Sequence, residues 1–245
     1  MGPPGTRYRV AMPLSQVACT DAIVRHSRGF AAAAKANLAE PVEHCPGWTV
    51  ADLVWHLTEV HWFWATIAGE KLSKPPDESR RPRRPADDEL VPTFEAGAKR
   101  LVDVLFDAKP KTKCWTWAPG HQNVGFVIRH QVQEVLVHHW DVCRSADRPW
   151  SVPPEVAADC VDEFLEVSVS GTLGGEFVIH SADTGEAWTV TDGRKGLEIR
   201  RSMGAPPPKL RASSAGLLLW LYNRIDLGYD GPPEMKARFR ELCKT

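Results

Sequence analysis

The sequence predicts an α+β protein with an N-terminal four-helix bundle and a smaller C-terminal α/β domain. Three observations support this prediction. Four long segments with helical periodicity fill most of the first 148 residues, and proline-rich sequence follows near Trp150. Short strand-like runs separated by turn signals then occupy much of the remainder. We expect a flexible N-terminus at 1–14, a four-helix domain at 15–148 and a small α/β domain at 149–245.

Composition excludes several classes of protein. The 245 residues are 43% hydrophobic and 25% charged, which is typical of a globular protein. The net charge of −1 and the absence of a long basic run outside 80–84 argue against nucleic acid as a partner. No apolar run approaches the roughly 20 residues that span a membrane. The six cysteines include no C-x-x-C pair, so we expect reduced thiols and a cytoplasmic protein.

Helical periodicity defines the N-terminal domain. Helices are expected at 15–38, 50–69, 93–106 and 126–142. Thr49 and Asp52 have a spacing close to that of a capping box at the start of the second helix. The Pro- and Arg-rich segment 71–92 is either a lid or disordered, and disorder with solvated arginines is the expectation. Helices of these lengths favour an antiparallel bundle, whose interior commonly holds metals or cofactors.

The C-terminal domain combines helices with short strands. A helix is expected at 155–169, followed by strands at 177–181, 187–191, 197–201 and 209–212. Ser213 or Ser214 can cap a further helix that ends near Arg224, and a last helix is expected at 233–242. Ten tryptophans, most of them before Pro153, indicate a bulky aromatic core or pocket in the N-terminal part.

The fourth helix carries a second polar stripe among apolar residues. His130, Glu134, His138 and Asp141 follow one another at i, i+4, i+8 and i+11. Such pairs also occur on ordinary solvated helices. Apolar flanks favour a lined cavity instead, because buried charge is costly unless it is paired or bound to a metal.

His56 lies on the apolar stripe of the second helix and is either a hydrogen-bonded core residue or a metal ligand. Together with Glu134 and His138 it forms a candidate His₂Glu set, which leaves one coordination position open as in catalytic zinc sites. His130 is either a fourth ligand or a supporting residue, and Asp141 is placed to hydrogen-bond a ligand. His61 is expected to pack or to face solvent rather than bind metal.

Two motifs resemble a known family. Residues 45–57 (CPGWTVADLVWHL) and 134–141 (EVLVHHWD) look like the mycothiol-dependent maleylpyruvate isomerase family. That family pairs a DinB-like four-helix metal-binding domain with a small α/β domain related to sterol-carrier folds. The resemblance extends into the second domain by pattern, from Asp183 to Arg224. It implies zinc ligands at His56, Glu134 and His138, an active-site role for Arg224, and mycothiol as the thiol cofactor.

Three functions remain open from the sequence. The first is a metal-dependent enzyme, with zinc as the expected ion, that uses mycothiol for isomerisation or S-transfer on a small electrophile. In it, the thiolate adds to a double bond, rotation follows, and Arg224 clamps a substrate carboxylate. The second is a hydrolase with a zinc-activated water. The third is a non-enzymatic binder of small ligands with a structural metal. Arg224 could equally satisfy carbonyls at a helix end.

Overall fold

The computed structural model describes residues 13–194, 196–204 and 210–244, which form two compact units. One unit is helical and covers Leu14–Val152, and the second contains the chain from Pro153 onward. The predicted α+β class, with a helical N-terminal domain and a small C-terminal α/β domain, is confirmed. Most of the segment predicted to be flexible, 1–14, lies outside the described residues.

Four long helices build the helical unit: α1 (Gln16–Ala34), α2 (Val50–Glu70), α3 (Asp87–Asp107) and α4 (Val124–Ser145). The side chains of Ser15, Thr49 and Asn123 cap α1, α2 and α4 by accepting a backbone N–H in the first turn. At α2 the cap is a full capping box, because the Asp52 carboxylate also accepts the Thr49 backbone N–H. These caps explain why the predicted starts of these three helices agree closely with the observed ones.

Helices α2 and α4 run antiparallel and face each other. His56 on α2 contacts Glu134 on α4, and Trp64, two turns later on α2, contacts His130, one turn earlier on α4. Residue numbers therefore rise along one helix while their partners' numbers fall along the other. This pairing places the polar stripe of α4 against the face of α2 that carries His56.

The prediction that segment 71–92 is disordered is wrong, because the segment is ordered. Arg80, Arg81 and Arg84 form ion pairs with Glu70, Glu59 and Asp52 of α2, and a short 3₁₀ turn spans Glu78–Arg80. The last six residues of the segment belong to α3, which contains Pro92 in its second turn. Three acidic residues, Asp87, Asp88 and Glu89, favour this earlier start because they interact with the positive end of the helix dipole.

The C-terminal unit is a four-stranded sheet with three helices. Helix α5 (Pro154–Ser168) precedes β1 (Glu176–Ser181), β2 (Glu186–Gly193), β3 (Gly196–Met203) and β4 (Leu210–Ala212), and α6 (Ser214–Leu221) and α7 (Pro233–Leu242) follow. The strand order is β3-β2-β1-β4; β1 and β4 are parallel, and the other neighbours are antiparallel. Phe177 of β1 stacks on Phe239 of α7 with ring centroids 4.3 Å apart, which joins the sheet to the last helix. Lys209, predicted as the first residue of β4, lies outside the described residues.

Two expectations from composition can be compared with the described chain. All six cysteines carry free thiols. Among the described residues, no helix combines the length and the apolar character that a membrane span requires.

A buried histidine lies in the core of the helical unit. The His61 side chain is fully buried, its ring centroid is 5.2 Å from that of Phe94, and neither ring nitrogen has a hydrogen-bond partner among the described residues. Burial lowers the pKa of His61 to about 4, so the ring is neutral at physiological pH. His61 is therefore a packing residue, which was one of the two roles expected for it.

Removal of the α2 cap should destabilise the helical unit. Thr49→Ala leaves the Asp52 backbone N–H without its side-chain acceptor, and we expect a loss of about 1 kcal/mol in the free energy of unfolding. Urea denaturation followed by circular dichroism measures this loss. Thr112→Ala, which removes a half-buried threonine outside the helices, is the matched control, and an equal loss in both variants would contradict the assignment.

Acid should destabilise the unit through His61. Between pH 6.5 and 4 the unfolded chain binds a proton at His61 that the native state excludes, so the unfolding free energy falls as pH falls, by up to about 3 kcal/mol. In His61→Phe this part of the slope should disappear, while the part due to buried His26, whose pKa is also about 4, should remain. Urea midpoints measured across this pH range test the difference. Parallel pH profiles for the two proteins would contradict it.

Candidate metal centre

Two helices bring three ligand-type side chains together. Glu134 and His138 are one turn apart on α4, so their side chains point the same way. The Glu134 Oε1 atom lies 3.3 Å from His56 Nε2 and 3.6 Å from His138 Nε2. The three ligand atoms all lie within 4.8 Å of one another. The structure therefore assembles the set that the sequence singled out.

The spacing of these atoms fits one metal ion. Zinc binds histidine nitrogen and carboxylate oxygen at about 2.0–2.2 Å, and a tetrahedral arrangement separates two such ligand atoms by about 3.3 Å. The two measured separations, 3.3 and 3.6 Å, are close to that value. Imidazole and carboxylate also suit other divalent transition metals, so the donor set defines a class of ion.

The electrostatics of the set favour a cation. Burial raises the pKa of the Glu134 carboxyl, but hydrogen bonds with His138 and His56 outweigh burial, and the pKa lies well below its usual range. Burial lowers the pKa of His138, but hydrogen bonds with Asp141 and Glu134 dominate and raise it to about 9. The ionised carboxylate thus holds a proton on its neighbour, and a metal ion, which needs neutral imidazole, would take the place of that proton.

Asp141 orients one of the candidate ligands. His138 Nδ1 lies 2.9 Å from Asp141 Oδ2, and the Asp141 side chain is fully buried. A proton on Nδ1 is donated to Asp141, which leaves Nε2 directed at Glu134 and fixes the ring orientation. The hydrogen-bonding role predicted for Asp141 is present in the structure.

Cys45 is a neighbour of the centre that sequence reasoning did not identify. Its sulfur forms a second compact group with His138 and Asp141, in which the ligand atoms also lie within 4.8 Å of one another. Cys45 lies in the turn directly before α2, so the chain that delivers His56 also delivers this thiol. The C-P-G-W turn that contains Cys45 was the only signal for it in the sequence. Spacing along the chain does not show that this turn lies next to α4.

The other histidines of α4 have different surroundings. His139 lies on another face of the helix, with its Nδ1 atom 2.9 Å from Nδ1 of His26 on α1. His130 is stacked on Phe126 with ring centroids 5.2 Å apart. Among the described residues, no group of three ligand atoms includes His130, so the structure gives no support to a fourth ligand at this position.

Arg224 lies in the C-terminal unit, just beyond α6. Its guanidinium Nη1 donates to the Tyr222 carbonyl at 2.9 Å, and its backbone N–H donates to Leu219 at 2.8 Å. These bonds correspond to the carbonyl-satisfying role considered from the sequence. Its role in an active site stays a prediction.

Comparison with known proteins identifies both the domain and the fold. The model of the mycothiol maleylpyruvate isomerase N-terminal domain matches residues 19–143. A crystal structure of the mycothiol-dependent maleylpyruvate isomerase superposes with a TM-score of 0.62 at 13% identity, covering 89% of this chain and 95% of that one. A variant of that protein with one histidine replaced by alanine gives a TM-score of 0.57 at 13% identity, covering 84% and 88%. No curated protein sequence matched the chain significantly.

The two kinds of match support different conclusions. At 13% identity the structural likeness shows a shared fold. The family-model match also supports membership of the family, because it covers just over half of the chain and includes α2, most of α4 and all three converging side chains. The resemblance seen in the two sequence motifs is confirmed, and the chain belongs to the mycothiol maleylpyruvate isomerase family.

Proposed function

We propose that this chain is a metalloenzyme that uses a low-molecular-weight thiol, mycothiol, for isomerisation or S-transfer on a small electrophilic substrate that bears a carboxylate. The convergence of His56, Glu134 and His138 is the observation that carries the proposal. Family membership supports the choice of thiol and reaction class. The free cysteines are consistent with a cytoplasmic location, which we include in the proposal.

The centre is suited to a reaction on a bound small molecule. A divalent ion held there, with zinc as the expected one, would supply an open Lewis-acid position that favours the thiolate form of a thiol. Two neutral imidazoles and one carboxylate leave one positive charge uncompensated on a divalent ion. An anionic sulfur or oxygen donor is therefore the complementary ligand for the open position.

The chain's own residues would keep the centre accessible and fixed. The His56 side chain is 32% exposed, whereas those of Glu134 and His138 are 18% and 13% exposed, so the centre opens on the His56 side. The hydrogen bond between His138 Nδ1 and the Asp141 carboxylate fixes the orientation of the His138 ring. A small molecule can therefore approach the ligand set without disturbing the buried carboxylate.

Arg224 is proposed to bind the substrate carboxylate. Its planar guanidinium can form two parallel hydrogen bonds with a carboxylate, which a lysine ammonium cannot match. A maleyl-type substrate carries such a group next to an electrophilic double bond. Maleylpyruvate, on which the similar solved protein acts by its name, is the first compound to test.

Metal content should depend on the three ligands. We expect purified protein to contain about one divalent ion per chain and His138→Ala to contain less than a tenth of that, because two ligands rarely retain the ion. Elemental analysis measures both. His44→Ala, which removes a half-buried histidine that packs on Trp140 outside the ligand set, should keep its metal. Equal metal in the native protein and His138→Ala would refute the centre.

Turnover should require added thiol. Metal-loaded protein with maleylpyruvate and mycothiol should show cis–trans isomerisation, and omission of mycothiol should abolish it. Arg224→Lys should raise KM about tenfold through loss of bidentate binding, while Arg211→Lys, an exposed arginine on β4, should not. Steady-state kinetics measure both effects. Full turnover of an ester or amide without thiol would instead support the hydrolase.

A further inference from the structure

An aromatic surface lies one to two helical turns from the metal centre along α2 and α4. Four rings define this surface, which we call the aromatic shelf: Trp64, Trp117, Phe126 and His130. The His130 ring is nearly parallel to Phe126, with centroids 5.2 Å apart and planes at 11°. Trp117 packs edge-on against His130 at 5.3 Å and against Phe126 at 5.4 Å, and Trp64 contacts His130 at 6.2 Å.

The shelf starts one helical turn from the centre. His130 precedes Glu134 by four residues on α4, a distance of about 6 Å along the helix axis. Trp64 follows His56 by eight residues on α2, about 12 Å along that axis. Both helices therefore lead from the ligand set directly to the shelf. A molecule bound at the open position and extended along these two helices would come within reach of the rings.

Part of the shelf is exposed, which a purely structural cluster would not require. Trp64 and Phe126 are each only 5% exposed and form its base, but Trp117 is 43% exposed. Among the described residues, four large apolar side chains are classed as exposed: Val17, Trp48, Phe106 and Trp117. Two of these contact histidines of α2 and α4, since the ring centroid of Trp48 lies 5.2 Å from that of His56 and the centroid of Trp117 lies 5.3 Å from that of His130. Two exposed tryptophans beside these histidines are therefore available to contact a ligand bound there.

From this arrangement we infer that the site accepts an electrophile with a planar conjugated or aromatic body, which stacks on the aromatic shelf while its polar end lies at the metal centre. The inference deepens the proposed function and rests on it for the electrophilic character of the ligand. Stacked and edge-on ring contacts favour flat π systems beyond the area that they bury. A thiol also adds readily to a conjugated double bond, which is itself planar.

The test compares two ligands with the same carboxylate and chain length. Metal-loaded protein, without thiol, is titrated by calorimetry with cinnamate, which is planar, and with 3-cyclohexylpropionate, which is not. We expect cinnamate to bind about tenfold more tightly, a difference typical of one good aromatic contact. Contributions from the carboxylate are common to both ligands. Equal dissociation constants would overturn the inference.

Variants assign the preference to the shelf. Trp117→Ala should remove the preference for cinnamate, and Trp117→Phe should retain part of it. Phe106→Ala removes another exposed aromatic side chain, at the end of α3, and should leave the preference unchanged. Circular dichroism confirms that each variant is folded. A preference that survives Trp117→Ala, or an equal loss of affinity for both ligands, would overturn the inference.

The binding test and the test of the proposed function can fail independently of each other. The binding comparison contains no thiol and no turnover. If the preference is present but no substrate reacts with mycothiol, the shelf stands and the proposed reaction fails. If mycothiol-dependent isomerisation occurs while both carboxylates bind equally, the reaction stands and the shelf inference fails.

Discussion

The buried charge of Glu134 is the constraint on which the helical unit depends. Its carboxylate is ionised and only 18% exposed, and such a group is stable only when positive or hydrogen-bonding partners surround it. His138 supplies one partner from the same helix, and His56 supplies the other from α2. Helices α2 and α4 must therefore pack at one register, because a slip of a single turn would move His56 away from the carboxylate and leave the charge uncompensated.

This register has consequences on both sides of the centre. Before α2 it places the Cys45 turn beside His138 and Asp141, so that a thiol, an imidazole and a carboxylate form a second compact group. Further along α2 it places Trp64 against His130 and thereby builds the base of the aromatic shelf. One packing arrangement thus defines a candidate metal centre together with a partly exposed aromatic surface next to it. A reaction that joins a polar metal-bound donor to a conjugated electrophile has a use for both.

The sequence predicted most of the architecture because the relevant signals are local. The capping box at Thr49 and Asp52 fixes the start of α2, and turn signals fix the short strands of the second unit. The start of α3 was predicted six residues too late, because a proline-rich, charged segment favours a loop, whereas Pro92 lies inside the helix. The acidic first turn favours the earlier start, and the ion pairs of Arg80, Arg81 and Arg84 with α2 order the segment before it. Those pairs join residues that lie 10 to 32 positions apart, so no periodicity reports them.

By itself the sequence determined which residues share a helix face. The i, i+4 spacing of Glu134 and His138 directs both side chains to one side of α4, and the same geometry turns His139 away. Only the tertiary structure decided that His56 meets them, that Cys45 is a neighbour, and that Trp117 stays exposed beside His130. The physical reason is that helical geometry is set by bonds within a few residues. Contacts between helices depend on how whole faces pack, which local spacing does not specify.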